Sequence, residues 1–208
     1  MAKGIAIGVS GREDYDAVLM TYHTSGPGHA SDFFHEDAWL DFTSIQSSHG
    51  DRILNWKMIE KDYARQPVKP VIDLETTYPD ALIMKGMKPG NDDHARRSAY
   101  WSVFAGACGH TYGHNSIWQM YAPGRKPILN PKSYWYDAIQ APSASQMGHL
   151  RQLIESRPFL NRVPDQSLLA CDPGEGIDHL RATRGDGYAM VYSPNGRNFK
   201  VHLDRLSG

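Results

Sequence analysis

Apolar and polar positions along the chain follow two different spacings, and the pattern predicts strands that alternate with helices. Short apolar runs predict strands at residues 17–22, 39–46, 71–75 and 109–113. Apolar residues three or four positions apart predict helices over residues 51–65, 92–107 and 145–156. The residues placed to cap these helices are Asp51, Asn91 or Asp92, and Ser145. This alternation implies an α/β fold with a parallel sheet and right-handed crossovers.

The pattern changes after Pro158 and predicts a second domain. Residues 188–192 alternate in polarity, and residues 199–203 do so again after the turn signal Ser193-Pro194-Asn195-Gly196. These two stretches predict a β-hairpin. We therefore expect an α/β domain over residues 1–160 and the truncated start of an antiparallel β-domain, a β-sandwich, over residues 161–208.

Polar and aromatic residues stand where each predicted strand ends. They are His23, Gln46 to His49, Glu75 to Tyr78, and His110 to His114. Chemistry at the carboxyl ends of successive strands is typical of a (β/α)8 TIM barrel. A complete barrel needs about eight strands and roughly 250 residues. The strands predicted here account for half of such a barrel.

Charge and motifs exclude several classes of partner. The chain has 22 Lys and Arg against 23 Asp and Glu, so it offers no basic footprint for nucleic acid. No apolar run approaches the roughly 20 residues that cross a bilayer. His110 and His114 are four apart, but the glycines beside them argue against a helical metal pair. We predict no metal, and the absence of nucleotide-binding motifs predicts no other cofactor.

Glu75 is the strongest candidate for catalysis because it ends an apolar strand. Hydrolysis of a glycosidic bond needs two carboxyl groups, and Glu75 could serve as the nucleophile or the base. The alternative is a structural ion pair with Arg96 or Arg97. Asp73 lies two residues earlier, so we expect it on the same side of the strand as a buried hydrogen-bond anchor.

Histidines and aromatic residues suit recognition of a sugar, because rings stack on its faces and polar groups bind its hydroxyls. The candidates for substrate binding are His23, Gln46, His49, Tyr78, His110, Tyr112, His114 and Trp118. For Tyr78 and Trp118, packing in the core remains an equal alternative. For His110 and His114, ordinary hydrogen bonding also remains open.

Several stretches, taken in order, resemble one known family. They are residues 19–23, 39–42, 46–49, 69–75, 97–101, 105–114 and 117–118. The most specific is Gly109-His110-Thr111-Tyr112-Gly113-His114. Together they resemble the apiosidase-like glycoside hydrolases, and residues 163–184 and 191–194 resemble the β-domain, labelled collagen-binding, that often follows them.

The resemblance implies the C-terminal half of a barrel that removes a sugar, such as apiose, from pectin side chains in a secreted or periplasmic protein. Glu75 matches a proposed catalytic residue, and the partner Asp is expected on an earlier strand outside this chain. The family often reads Glu-Pro-x-Tyr-Glu, whereas this chain has Glu75-Thr76-Thr77-Tyr78-Pro79-Asp80. The second acid is therefore replaced, or shifted to Asp80.

A half-barrel exposes two sheet edges, so we expect it to meet the missing N-terminal half or a second copy of itself. The expected function is that of a glycosidase fragment acting on a saccharide. The alternatives are a non-catalytic module that binds carbohydrate or a matrix protein such as collagen, and a structural remnant with no activity.

Overall fold

The computed structural model describes residues 1–49, 53–82 and 88–205. The helices are α1 (Ala2–Ser10), α2 (Ser31–Phe34), α3 (Asn55–Tyr63), α4 (Asp92–Phe104), α5 (Asn115–Trp118), α6 (Trp135–Ala138) and α7 (Pro142–Glu155). The strands are β1 (Gly28–His29), β2 (Thr43–Gln46), β3 (Val71–Glu75), β4 (Gly109–His110), β5 (Val163–Pro164), β6 (Arg181–Gly185) and β7 (Tyr188–Tyr192). No helix in these described ranges is both long enough and apolar enough to cross a membrane.

The first four strands form one sheet in the order β1-β2-β3-β4. Strands β2, β3 and β4 run parallel, and β1 joins β2 in the antiparallel direction. The predicted α/β class with a parallel sheet is confirmed. Residues 17–22 do not form the predicted strand. The Met20 amide donates to the Asp41 carboxylate at 2.6 Å, so this N–H is not available for pairing with a neighbouring strand.

The three predicted helices correspond to α3, α4 and α7, and one of them begins where it was expected. Helix α4 begins as predicted, with the Asn91 side chain accepting from the His94 amide at 2.9 Å. Helix α7 begins at Pro142, so the prediction that Ser145 caps it is wrong. Proline is favoured in the first turn because its missing N–H is not needed there. The predicted cap Asp51 lies outside the described residues.

Asp73 anchors the helix layer to the sheet. Its carboxylate accepts from the side chains of Ser47 at 2.8 Å and Asn55 at 2.9 Å, and Asp73 is fully buried. Burial raises the pKa of this carboxyl, against the hydrogen bonds that lower it. Beside this anchor lies an apolar cluster made by Ile45, Ile59, Val71, Ala105 and Ala107. The predicted role of Asp73 as a buried anchor is confirmed.

The second sheet is antiparallel, in the order β5-β6-β7. The hairpin joins β6 to β7 through Asp186 and Gly187, and Gly187 has a φ of 72°. The predicted pairing of residues 188–192 with residues 199–203 is therefore wrong. A two-residue Asp-Gly loop is the shorter connection and the stronger hairpin signal. Val201 forms an isolated bridge with Leu169 instead.

Buried aromatic and charged contacts join the two sheets through α3 and α4. The Trp56 ring stacks on His179 with centroids 4.0 Å apart, and the Trp101 indole donates to the His179 carbonyl at 3.0 Å. Arg181 lies over the Trp56 ring and pairs with Glu60 at 2.6 Å. The second sheet is therefore packed against the helices that cover the first.

We expect Arg181→Ala to lower the free energy of unfolding by about 2 kcal/mol, because it removes a buried side chain together with its ion pair. Arg184→Ala on the same strand is the matched control. Its pair with Asp165 is 45% exposed on the arginine side, so the loss should stay below about 1 kcal/mol. Urea denaturation measures both values. Equal losses in the two variants would contradict the proposed contribution of Arg181.

Candidate active site

A β-bulge between β2 and β3 separates Glu75 from Asp73. Ile45 pairs with Asp73, but the next residue, Gln46, pairs with Glu75, so Leu74 is an extra residue in β3. Because neighbouring residues of a strand point to opposite faces, Glu75 takes the face of Gln46, opposite to Asp73. The prediction that the two carboxylates share a side is wrong. Bulges are common next to active sites, where they re-aim a side chain.

Two histidines contact the Glu75 carboxylate. His49 Nε2 lies 2.9 Å from Oε1, and His23 Nε2 lies 3.4 Å from Oε2. The Glu75 side chain is 22% exposed, so solvent still reaches the carboxylate. The described residues do not form the alternative, an ion pair between Glu75 and Arg96 or Arg97. Arg96 pairs with Asp93, and Arg97 lies over the Trp101 ring.

His49 is held on three sides. Its Nδ1 lies 2.6 Å from the Thr76 carbonyl oxygen, and its ring packs against Tyr78 with centroids 4.3 Å apart. Burial, with a contribution from the Glu75 charge, raises the pKa of Tyr78 to about 12. Tyr78 therefore keeps its hydroxyl proton at neutral pH.

Two glycines leave the space that Tyr78 occupies. A Cβ added at Gly113 would lie 2.3 Å from a ring carbon of Tyr78, and one added at Gly90 would lie 2.2 Å from the Tyr78 carbonyl oxygen. Both distances are too short for any side chain. Gly113, in the Gly-His-Thr-Tyr-Gly-His run, thus leaves the space in which the Tyr78 ring packs beside His49.

Gln46 lies next to Glu75 across the sheet. A Cβ at Gly26 would lie 2.8 Å from Gln46 Cγ, so the Gln46 side chain crosses over Gly26. Four of the predicted binding residues, His23, Gln46, His49 and Tyr78, are thus close to Glu75, and their roles toward a sugar stay predictions.

His110 and Tyr112 lie elsewhere, in a groove of about 650 Å³ between β4 and α7. His110 pairs with Asp73 across the sheet, which gives it the side that faces the helices. Both of its ring nitrogens are buried without a hydrogen-bond partner, and burial lowers the pKa of His110 to about 4. The Tyr112 hydroxyl is 2.9 Å from Ser143 Oγ. Glu75 is not among the described residues that line this groove.

Trp118 belongs to α5, which follows β4, and His114 immediately precedes that helix as its N-cap. His114 is buried, and its Nδ1 accepts from the Ser116 amide at 3.2 Å; burial lowers the pKa of its ring. Trp118 is half exposed and donates to Asn115 Oδ1 at 3.0 Å. The Asn115 amide binds the Pro79 carbonyl, which ties α5 to the loop that carries Tyr78.

Residues 1–161 match the family described as "Apiosidase-like, catalytic domain". The chain belongs to the apiosidase-like family. Residues 163–208 match a second family, described as "Putative collagen-binding domain of a collagenase". The family resemblance inferred from the sequence is confirmed for both parts of this apiosidase-like chain.

Two solved structures are similar to this apiosidase-like chain. One is a glycoside hydrolase family 5 protein from Bacteroides vulgatus ATCC 8482, with 38% identity, a TM-score of 0.87, and coverage of 92% of this chain and 45% of that one. The other, described as a glycoside hydrolase, shows 40% identity, a TM-score of 0.87, and coverage of 93% and 48%. This chain spans about half the length of both. No curated protein matches it in sequence.

Two residues that sequence reasoning did not select help to build the site of the apiosidase-like domain. Thr76 contributes only its carbonyl oxygen, which leaves no side-chain signal in the sequence. Asn115 is fully buried and donates to the carbonyl oxygens of Asp80, Ile128 and Leu129. Among the described residues, no three His, Cys, Asp or Glu side chains are grouped so that they could hold a metal ion.

We expect Gly113→Ala to destabilise the protein by about 1 to 3 kcal/mol, because the new methyl group would overlap the Tyr78 ring. Gly148→Ala is the matched control: Gly148 lies in α7 with no atom within 4 Å of an added Cβ, so alanine should stabilise by about 0.5 to 1 kcal/mol. Thermal denaturation measures both. A neutral or stabilising Gly113→Ala would contradict the described seating of Tyr78.

We expect His110 to make the protein less stable in acid. The pKa of His110 falls from 6.5 to about 4 on folding, so between these values the unfolded chain binds a proton that the folded chain does not. Stability should drop by up to about 3 kcal/mol as the pH falls from above 6.5 to 4, and no further below 4.

The variant His110→Phe should lose this part of the pH dependence. Tyr112→Phe, in the same groove, is the control and should keep it, since burial raises the pKa of Tyr112 away from this range. Urea denaturation at a series of pH values measures the slope. An unchanged slope in His110→Phe would show that the ring is not buried in the neutral form.

Proposed function

We propose that this chain supplies the C-terminal half of a (β/α)8 barrel in a glycoside hydrolase, with Glu75 as one of two catalytic carboxylates. The observation that carries the proposal is the position of Glu75. It ends a parallel strand, remains accessible and is oriented by His49 and His23. In barrel enzymes the catalytic groups stand at the carboxyl ends of strands.

Glu75 has the chemistry of a nucleophile or a general base. An ionised carboxylate can attack the anomeric carbon or take a proton from water, while a second carboxyl group protonates the leaving oxygen. Asp80 is a poor choice for that second group, because its carboxylate already accepts from Ser133 Oγ at 2.8 Å and its backbone occupies a turn with a φ of 63°. The partner acid would then come from an earlier strand of the barrel.

The rest of the barrel would complete the sheet at both of its edges. A groove of about 650 Å³ lies beside β4, at one edge of the sheet, and a second of about 730 Å³ is lined in part by Met20, Tyr22, Phe34 and Trp39. A groove beside an open sheet edge suits a further strand–helix unit. The N-terminal half of the barrel, or a second copy of this chain, would cover these grooves.

The proposed substrate is a pectic oligosaccharide with an apiose-like side-chain sugar. Support comes from the apiosidase-like family and from the half-exposed ring of Trp118 on α5, the helix that is tied to the loop after β3. Such a substrate implies a secreted or periplasmic protein. The second candidate function, binding of carbohydrate or collagen without catalysis, is favoured by the family match of residues 163–208.

We expect Glu75→Gln to lower kcat/KM at least about 10³-fold in sugar release from pectic oligosaccharides, measured on the chain combined with the remaining half of the barrel. Glu175→Gln is the control, since Glu175 is exposed, lies outside the residues that match the catalytic domain, lines neither groove and should not affect the rate. A Glu75→Gln protein as active as the unmodified one would remove Glu75 from the mechanism. Absence of sugar release by the unmodified barrel would contradict the proposed substrate.

A further inference from the structure

We infer that His49 is a positioning residue that donates from both ring nitrogens, to the Thr76 carbonyl oxygen and to Glu75, and thereby fixes the Glu75 carboxylate. This inference rests on the function proposed for Glu75 and adds the group that prepares it. His49 is 8% exposed, so the ring must find its hydrogen-bond partners within the protein.

The first proton follows from Thr76. His49 Nδ1 lies 2.6 Å from the Thr76 carbonyl oxygen, and a carbonyl oxygen can only accept a hydrogen bond. Nδ1 must therefore carry a proton.

The second proton follows from Glu75. His49 Nε2 lies 2.9 Å from Oε1, and a neutral ring with its proton on Nδ1 would present a bare nitrogen to an ionised oxygen. Two lone pairs at that distance repel, so one proton must lie between them. An imidazolium–carboxylate pair satisfies the Thr76 oxygen and the Glu75 oxygen together, and it forms the stronger bond.

Two other buried histidines, His35 and His179, do not meet this condition. His35 Nε2 faces the Pro67 carbonyl at 3.0 Å, and His179 Nδ1 faces the Gly174 carbonyl at 2.8 Å. The second ring nitrogen of each has no hydrogen-bond partner. A neutral ring with its proton on the bonded nitrogen satisfies the hydrogen bond of each. His49 differs from these two histidines because each of its ring nitrogens faces an acceptor oxygen.

The groups around His49 and Glu75 are compatible with a positively charged ring beside a negatively charged carboxylate. His23 Nε2 lies 3.4 Å from the other Glu75 oxygen, and Tyr78 packs on the His49 ring with its hydroxyl proton retained. Asp73 is the other nearby carboxylate, and it is bound to Ser47 and Asn55 on the opposite face of the sheet. With Oε1 held by His49, Oε2 is the oxygen that would meet the sugar or the attacking water.

The test counts protons on the ring nitrogens of His49 by ¹H–¹⁵N NMR of the full chain at pH 7.5. We expect both nitrogens to be protonated. In Glu75→Gln the side-chain amide can donate to Nε2, so the ring should become neutral, with its proton on Nδ1. His179 is the internal control and should be neutral in both proteins. A bare Nε2 in the unmodified protein would overturn the inference.

If Glu75→Gln does not fold, kcat and KM are measured instead on a His49→Gln variant of the completed barrel. His49→Gln should lower kcat about 100-fold with little change in KM, because misplacing a reacting group costs rate rather than binding. An unchanged kcat would overturn the inference.

The two proposals can fail separately. A neutral His49 together with loss of hydrolysis in Glu75→Gln would remove only the role of His49. A doubly protonated His49 beside a dispensable Glu75 would remove only the glycosidase assignment.

Discussion

The pairing of β3 with β2 is the constraint on which the site depends. Through Asp73 the two strands are in regular register, and one extra residue, Leu74, then brings Glu75 beside Gln46. Without that bulge Glu75 would lie on the side of Asp73, which is filled by the helix layer. A single change of register thus separates a buried structural carboxylate from an accessible one two positions later.

The two carboxylates illustrate how environment sets the role of one chemical group. Asp73 is fully buried, and burial raises the pKa of its carboxyl while three side chains donate to it. Glu75 is partly exposed and faces ring nitrogens instead. The Asp73 contacts hold α3 and α4 to the sheet, and this packing supports the strand end from which Glu75 projects. Rigid support of this kind is what the catalytic role proposed for Glu75 requires.

Much of the fold could be predicted because its signals are local. The apolar run of β3 and the Asn91 cap of α4 are read directly from neighbouring residues, and both are present. The bulge could not be predicted, because it exists only in relation to the partner strand. For the same reason, alternation along β4 could not reveal that His110 takes the side of Asp73. The predicted hairpin differs from the observed one because two turn signals, Asp186-Gly187 and Asn195-Gly196, compete in one short segment.

The most direct test of the account is a crystal structure of the completed barrel carrying Glu75→Gln with a bound pectic oligosaccharide. We expect the anomeric carbon of the sugar to lie within about 3.5 Å of the side chain at position 75, the distance from which a reacting group attacks. His23 and Tyr78 should border the same sugar. An oligosaccharide bound in the groove of His110, or anywhere that leaves position 75 facing only protein, would contradict the account.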